Sequence, residues 1–306
     1  SPELFGYLRK WYGQDEARLL AQSFLREEIE VTARVNCLKG TAEELQAGLA
    51  ADGMTVRAGL YCPEALRLEL GGSPVRGLPS FQDGRLTIQD EAAMLVGHAA
   101  APGPGQRIID LCAAPGGKTT HLAELSGDKA DILAFDSHPR RLRLVEENAG
   151  RLGLTGITCR TGDATGKDMD PQLRESADLV LADVPCSGLG LLARKPEIRL
   201  SMTHEKIIGL YPLQEAILDY AATLVRSGGV LVYSTCTINP AENIERVRAF
   251  LTNTGGRFRP ESLEKYLPAA VLRQPDLAAS ASQGYLQLLP HRHELDGFFL
   301  FRMRRI

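Results

Sequence analysis

From Arg107 onward the chain repeats one unit, in which a short apolar run is followed by a turn and then by a longer stretch with helical character. Alternation of this kind commits a chain to a parallel sheet covered by helices on both faces, because parallel strands need a crossover and a helix usually supplies it. The runs predict strands near 107–111, 131–136, 157–162, 178–183 and 229–234. Two more apolar runs between 284 and 303, the stronger at 297–301, predict a hairpin that closes the sheet edge. The expected fold class is α/β: a Rossmann-like, doubly wound, mostly parallel seven-stranded sheet.

The first hundred residues read differently. Leu4, Tyr7, Leu8 and Trp11, then Leu19, Leu20 and Phe24, recur at helical spacing with a break near Gly13, so two short helices are expected over 3–26. A strand at 30–36, a helix from the cap Thr41 to about Ala51, and strands at 54–58 and 65–70 make a small α+β module. Gly71-Gly72-Ser73-Pro74 and Pro79 mark turns, 88–101 reads as a helix, and Pro102-Gly103-Pro104-Gly105 punctuates the entry to the alternating part. The expected division is a helical lead-in over 1–29, the small module over 30–84 and the large α/β unit over 85–306.

Charge and cysteine usage narrow the function classes. The net charge of -3 and pI of 6.1 give no global basic footprint, so any contact with phosphates must be local. Arg9 with Lys10, the run Arg140, Arg141 and Arg143, the segment from Arg194-Lys195 to Arg199, and Arg292 are the candidates. Six cysteines with no C-x-x-C pair suggest reduced thiols and no metal site, and His291 with His293 reads as an exposed basic loop. No stretch approaches the roughly 18 apolar residues of a membrane span and no basic-then-apolar leader opens the chain, so a cytoplasmic protein is expected. It starts at Ser1-Pro2 without methionine, as a segment of something longer would.

The loop after the first strand of the large unit carries the strongest ligand signal. Ile108-Ile109-Asp110-Leu111 runs into Cys112-Ala113-Ala114-Pro115-Gly116-Gly117-Lys118 and then a helix, a small-residue turn that lets backbone approach a ligand closely. A phosphate cradle of the Walker type needs glycine where Cys112 stands, and the dinucleotide G-x-G-x-x-G spacing is absent. S-adenosylmethionine, which has no pyrophosphate to cradle, is the third reading. Asp136 ends the second strand, nineteen residues after Gly117, and would accept from both ribose hydroxyls; its other reading is a helix cap. Asp163, at the end of the third strand, would accept from the adenine amino group or would be a turn aspartate. Successive strand ends make the ligand reading the better one for the set.

Asp183-Val184-Pro185-Cys186-Ser187-Gly188 follows the fourth strand and Ser234-Thr235-Cys236-Thr237 the fifth. Neighbouring strands lie about 4.8 Å apart and ligands bind at their carboxyl ends, so both thiols should open into one cleft. Cys37, Cys62 and Cys159 read as small buried hydrophobes, and Cys112 as a loop residue acting through its backbone.

At these residues the chain resembles the Sun family of RNA cytosine-5 methyltransferases, and within it the branch acting on small-subunit rRNA. The matching stretches are 110–118, 162–164, 183–188, 234–237 with Asn239-Pro240-Ala241-Glu242-Asn243, and Asp296-Gly297-Phe298-Phe299, together with Gln89-Asp90-Glu91-Ala92 and Arg34-Val35-Asn36. The resemblance implies a class I methyltransferase fold, S-adenosylmethionine held by Cys112, Ala113, Ala114, Pro115, Gly116, Gly117 and Lys118 with Asp136, Asp163 and Asp183, and an RNA-recognition-like small module. It makes Cys236 the nucleophile and gives Cys186 the release step. Carbon 5 of cytosine is a poor nucleophile until a thiolate adds at carbon 6, and Asp183 is placed to protonate the ring nitrogen.

Lys195, Arg194 and Asn36 are expected to face the RNA. The resemblance also implies a NusB-like helical domain ahead of this region, of which 1–29 would be the tail. The expected partner is RNA, with rRNA ahead of tRNA, and the expected state is a monomer with no obligate protein partner and no membrane. The reading from another class is a catalytically silent RNA-binding factor of ribosome assembly, against which the intact pair of thiols argues.

Overall fold

The five alternating runs become five parallel strands: β5 (Arg107–Asp110), β6 (Asp131–Asp136), β7 (Ile157–Thr161), β8 (Ala177–Asp183) and β9 (Val225–Thr235). The protein is described here by a computed structural model covering residues 2–25, 30–71 and 74–306. Gly72 and Ser73 of the expected turn, and residues 26–29 at the junction of lead-in and small module, lie outside the described residues. The sheet runs β10-β12-β9-β8-β5-β6-β7, where β10 is Phe258–Pro260 and β12 is Phe298–Arg305. Because the chain travels outward through β5, β6 and β7 and returns to β8 beside β5, the order reverses between β5 and β8. A crevice forms at such a switch point, at the carboxyl ends of the strands.

Burial on both faces explains the near-continuous apolar runs. Successive residues of a strand point to opposite sides. Accordingly Ile108 packs with Met94, Leu95 and Leu122, whereas Ile109 packs with Ile217, Leu218 and Val247 on the far face.

Two expectations about the secondary structure need correction. The C-terminal runs do form an antiparallel pair, β11 (Tyr285–Leu288) with β12, but β12 is interior. One side of β12 pairs with β9, while β11 and β10 share the other, which makes eight strands among the described residues instead of seven. The expected helix over 88–101 is Glu91–Ala100, because Asp90 is extended and caps it by accepting from the Ala92 amide. Leu86–Ile88 is a strand, β4, which joins the small sheet.

That sheet is antiparallel in the order β2-β3-β1-β4, with β1 at Val31–Val35, β2 at Thr55–Ala58 and β3 at Ala65–Glu69. Ala33, Val35, Leu66, Leu68 and Leu86 pack against Leu45 and Leu49 of the helix Ala42–Ala51, which starts with a Thr41–Glu44 capping box. The lead-in forms helices Pro2–Tyr12 and Gln14–Ser23, with Gly13 at φ 83° between them. Leu8, Leu20 and Phe24 bury against Leu189, Leu192 and Ile238 of the large unit. His291 and His293, expected in an exposed basic loop, instead bond to Glu16 and Asp276 and are almost wholly buried. No helix among the described residues is long and apolar enough to cross a membrane.

Candidate active site

The carboxyl ends of β5, β6, β7, β8 and β9 surround a cavity of about 290 Å³ that reaches from Leu111 and Cys112 past Asp136 and Asp163 to Asp183, Cys186 and Cys236. The acids and thiols singled out in the sequence therefore share one space. On the cofactor loop, Gly116 adopts φ 107°, and a Cβ there would stand 3.0 Å from the Cα of Val145, so glycine is required twice over. Beneath the loop, Asp110 accepts from the Thr119 hydroxyl at 2.7 Å and the Cys112 amide at 3.3 Å. Burial pushes its carboxyl up to about 7.

Asp136 accepts from the His138 amide at 2.9 Å at the start of the next helix, yet still lines the cavity. Asp163 accepts from the amide and hydroxyl of Thr165, so its turn role and its place on the wall coexist. Lys118 turns away from the loop: its Nζ donates to Asp183 Oδ2 at 2.7 Å and lies 5.2 Å from the centre of the Phe298 ring. Burial lowers the affinity of this amine for its proton, but Asp183 outweighs that and raises it. Asp183 Oδ1 accepts from Ser234 Oγ at 2.6 Å, a bond made possible by the β8–β9 register that sets Asp183 opposite Ser234.

Two and three residues beyond that pair the thiols meet, with Cys186 Sγ 3.3 Å from Cys236 Sγ. The hydrogen bond from Cys186 draws the Cys236 thiol below its ordinary range, with Lys118 and Lys195 helping against burial and Asp183. The same contact, with burial, pushes Cys186 well up. Of the two sulfurs, Cys236 is therefore the one that gives up its proton more readily.

The residues expected at the RNA divide. Lys195 is exposed and its charge is felt at Cys236. Arg194 bonds to Asp296 at 2.9 Å and Asp90 at 3.0 Å, inside a larger cleft of about 730 Å³ that also holds Arg57 and Arg67 of the small sheet. Asn36 must be corrected. It is buried, donating to the carbonyls of Gly84 and Leu152 and accepting from Leu38, so no donor is left for RNA.

A family model described as 16S rRNA methyltransferase RsmB/F matches residues 98–304, and one for the RsmF/B-like ferredoxin-like domain matches residues 4–75. The chain belongs to the RsmB/F family. A probable ribosomal RNA small subunit methyltransferase B from Synechocystis is 40% identical over 294 residues, 96% of this chain and 64% of that protein. The chain thus spans just under two thirds of that relative's length. The solved structure named PH0851 superposes with a TM-score of 0.88 at 32% identity, covering 99% of this chain and 65% of that one. NSun6 from Pyrococcus horikoshii, solved with SFG, superposes at 0.85 with 23% identity, covering 100% and 98%, and supports the fold.

Two side chains of this RsmB/F chain hold the site together and were missed as functional residues. Glu242, fully buried, accepts at Oε1 from the Ser187 amide (2.8 Å) and Gln214 (3.0 Å). Its Oε2 accepts from Ser187 Oγ (2.5 Å) and Asn239 (3.0 Å). One carboxylate thus ties the residue after Cys186 to the segment after Cys236. A second tie is backbone to backbone: Gly190 donates to the Cys236 carbonyl and accepts from Gly297, and a Cβ on Gly190 would fall 1.8 Å from the Gly297 oxygen.

Glu242→Gln keeps the shape but replaces one acceptor by a donor facing two donors. Leaving buried donors unmatched costs about 1–3 kcal/mol, and displacing a reacting atom by 1 Å costs up to about 10²-fold in rate. The variant is expected to lower the melting temperature and to reduce kcat more than it raises KM. Unchanged kcat would show that the tie does not set the thiol geometry. The other clamp is Arg34 of β1, which is fully buried. It donates to Glu124 at 2.8 and 2.9 Å, to Thr120 at 3.0 Å, to the Gly117 carbonyl at 2.7 Å and to Gln89.

Cys62, Glu64 and His98 bring ligand-type atoms within 4.8 Å of one another, a grouping their spacing in the chain did not announce. The Glu64 carboxylate there bonds to His98 Nε2 at 2.8 Å and lies 3.1 Å from His121 Nε2.

Proposed function

We propose that this chain transfers a methyl group from S-adenosylmethionine to carbon 5 of a cytosine in small-subunit rRNA, through a bond between Cys236 Sγ and carbon 6. The observation that carries this reading is the 3.3 Å approach of two thiols inside the cavity lined by the strand-end acids. The cofactor fits the donor set: Asp136 offers a carboxylate to the ribose, Leu111 and Ala164 offer apolar wall, and the Gly116-Gly117 turn lets backbone close on its amino-acid end. SFG, an S-adenosylmethionine analogue, bound to the structural neighbour NSun6 supports the same choice. When bound, the cofactor supplies the electrophilic methyl.

The chain's own residues do the rest. The Cys236 thiolate, favoured by the hydrogen bond from Cys186, adds to carbon 6, and a proton passes from Lys118 through Asp183 to ring nitrogen 3. Electron density then moves to carbon 5, which accepts the methyl. Cys186, within reach of the same face, gives its own proton to water once Cys236 is bonded to carbon and then takes the proton from carbon 5; the sulfur–carbon 6 bond breaks, and ring nitrogen 3 returns its proton through Asp183 to Lys118. Lys195, exposed at the entrance, meets a backbone phosphate.

The test is methyl transfer from labelled S-adenosylmethionine to small-subunit rRNA, followed by digestion to nucleosides. Label in 5-methylcytidine is expected. Label in an amino-methylated or ribose-methylated nucleoside would overturn the chemistry. Acceptance of tRNA alone would move the substrate, and binding of rRNA with no transfer would favour a silent assembly factor.

A further inference from the structure

Of the six cysteines, Cys37 is exposed, Cys62 is buried, and none of the six is in a disulfide; the contact between Cys186 and Cys236 sets that pair apart. We propose that this pair is an oxidation site at which peroxide converts the two thiols into a reversible disulfide across the methyl-transfer cavity. Bond formation requires a sulfur–sulfur distance of about 2.05 Å, so the atoms must close by little more than 1 Å from 3.3 Å. Each thiol lies on a loop just past the end of a paired strand, so the approach is built into the β8–β9 register and does not depend on a chance meeting of mobile loops. Both sulfurs border a cavity wide enough for a peroxide, and both residues are partly exposed.

The chemistry is balanced within the site. The Cys236 thiolate attacks one peroxide oxygen, the O–O bond breaks, and the products are a sulfenic acid and hydroxide, which takes a proton to become water. Cys186 sulfur then attacks the Cys236 sulfur, the S–O bond breaks, and a second water leaves with the thiol proton. Two thiols lose two electrons and peroxide gains them. Reactivity is divided suitably. The hydrogen bond from Cys186 and the charges of Lys118 and Lys195 favour thiolate at Cys236, while Cys186 keeps its proton until a sulfenic acid forms beside it. The two Glu242 bonds on the Ser187 side hold Cys186 next to its partner, so the second step is intramolecular.

The consequence for activity rests on the proposed role of Cys236, whereas the bond itself rests on geometry alone. The site therefore acts as an oxidation-sensitive stop on methylation, released by a dithiol reductant and blocked when RNA occupies the cavity.

The experiment treats the full chain with hydrogen peroxide, maps peptides under non-reducing conditions and assays methyl transfer in parallel. A linked pair of peptides carrying Cys186 and Cys236, loss of activity, and full recovery with dithiothreitol are expected. In Cys186→Ser no resolving thiol remains, so Cys236 should advance to sulfinic acid, which dithiothreitol does not reverse; Cys37→Ser should respond as the parent does. Sulfinic acid at Cys236 of the parent chain with no linked peptide, or a bridge to Cys112, would overturn the proposal. A linked pair with activity intact would uphold the oxidation site and remove Cys236 from the role of nucleophile. Activity lost with no linked pair would do the reverse.

Discussion

Cys236→Ala is expected to abolish methyl transfer to RNA while leaving S-adenosylmethionine binding within a few-fold of the parent. Without a thiolate at carbon 6 the pyrimidine has no route to a nucleophilic carbon 5, and the neighbouring Cys186, which holds its proton more tightly, is a poor substitute. The loss should reach about 10⁴-fold or more, or roughly 5 kcal/mol of transition-state stabilisation. Cofactor binding should survive because the loop 112–118 and the acids Asp136 and Asp163 do not bond to the Cys236 side chain. Calorimetry with S-adenosylmethionine and single-turnover transfer on the same preparation separate the two effects. Methyl transfer at more than about a hundredth of the parent rate would sink the assignment, since no activated nucleophile would remain to explain it.

Cys186→Ala has the opposite signature. Addition and methyl transfer should proceed, but the proton at carbon 5 has lost its nearest acceptor, so a protein–RNA adduct should accumulate and survive denaturing electrophoresis. Its formation should also depend on pH in a shifted way. The hydrogen bond from Cys186 is the largest influence lowering the Cys236 thiol, so removing it moves the thiol back up, and adduct formation should rise at higher pH than the first half-reaction of the parent. Adduct accumulating in the Cys236 variant instead would exchange the two roles.

Much of this site was legible because it is built at strand ends. The apolar runs locate β5, β6, β7, β8 and β9, and the residues that follow all five converge where a parallel sheet places its carboxyl ends. Cys186 and Cys236, fifty residues apart, could be paired on that argument alone. Parts that depend on long-range side-chain partners could not be read. Asn36 stands between Val35 and Cys37, and nothing local says that its amide is consumed by Gly84 and Leu152. Arg194 looks like a free cation until Asp90 and Asp296 arrive from opposite directions in the chain. Glu242 was visible inside a motif but gave no sign of joining two loops. The extra strand and the interior place of β12 follow from pairing partners, which periodicity does not specify.

The Arg34 guanidinium fills its donors with groups from Gln89, the Gly117 carbonyl, Thr120 and Glu124, so the small sheet and the cofactor turn are joined through one ion. Grafting the small module of one relative onto the catalytic unit of another, to redirect which RNA is modified, therefore cannot stop at the covalent boundary. A transplant that brought an arginine without its carboxylate, or the carboxylate without its arginine, would bury a lone charge at a cost of about 3–5 kcal/mol next to the cofactor loop. Exchangeable cassettes in such hybrids have to travel with residues 89, 117, 120 and 124 of the donor.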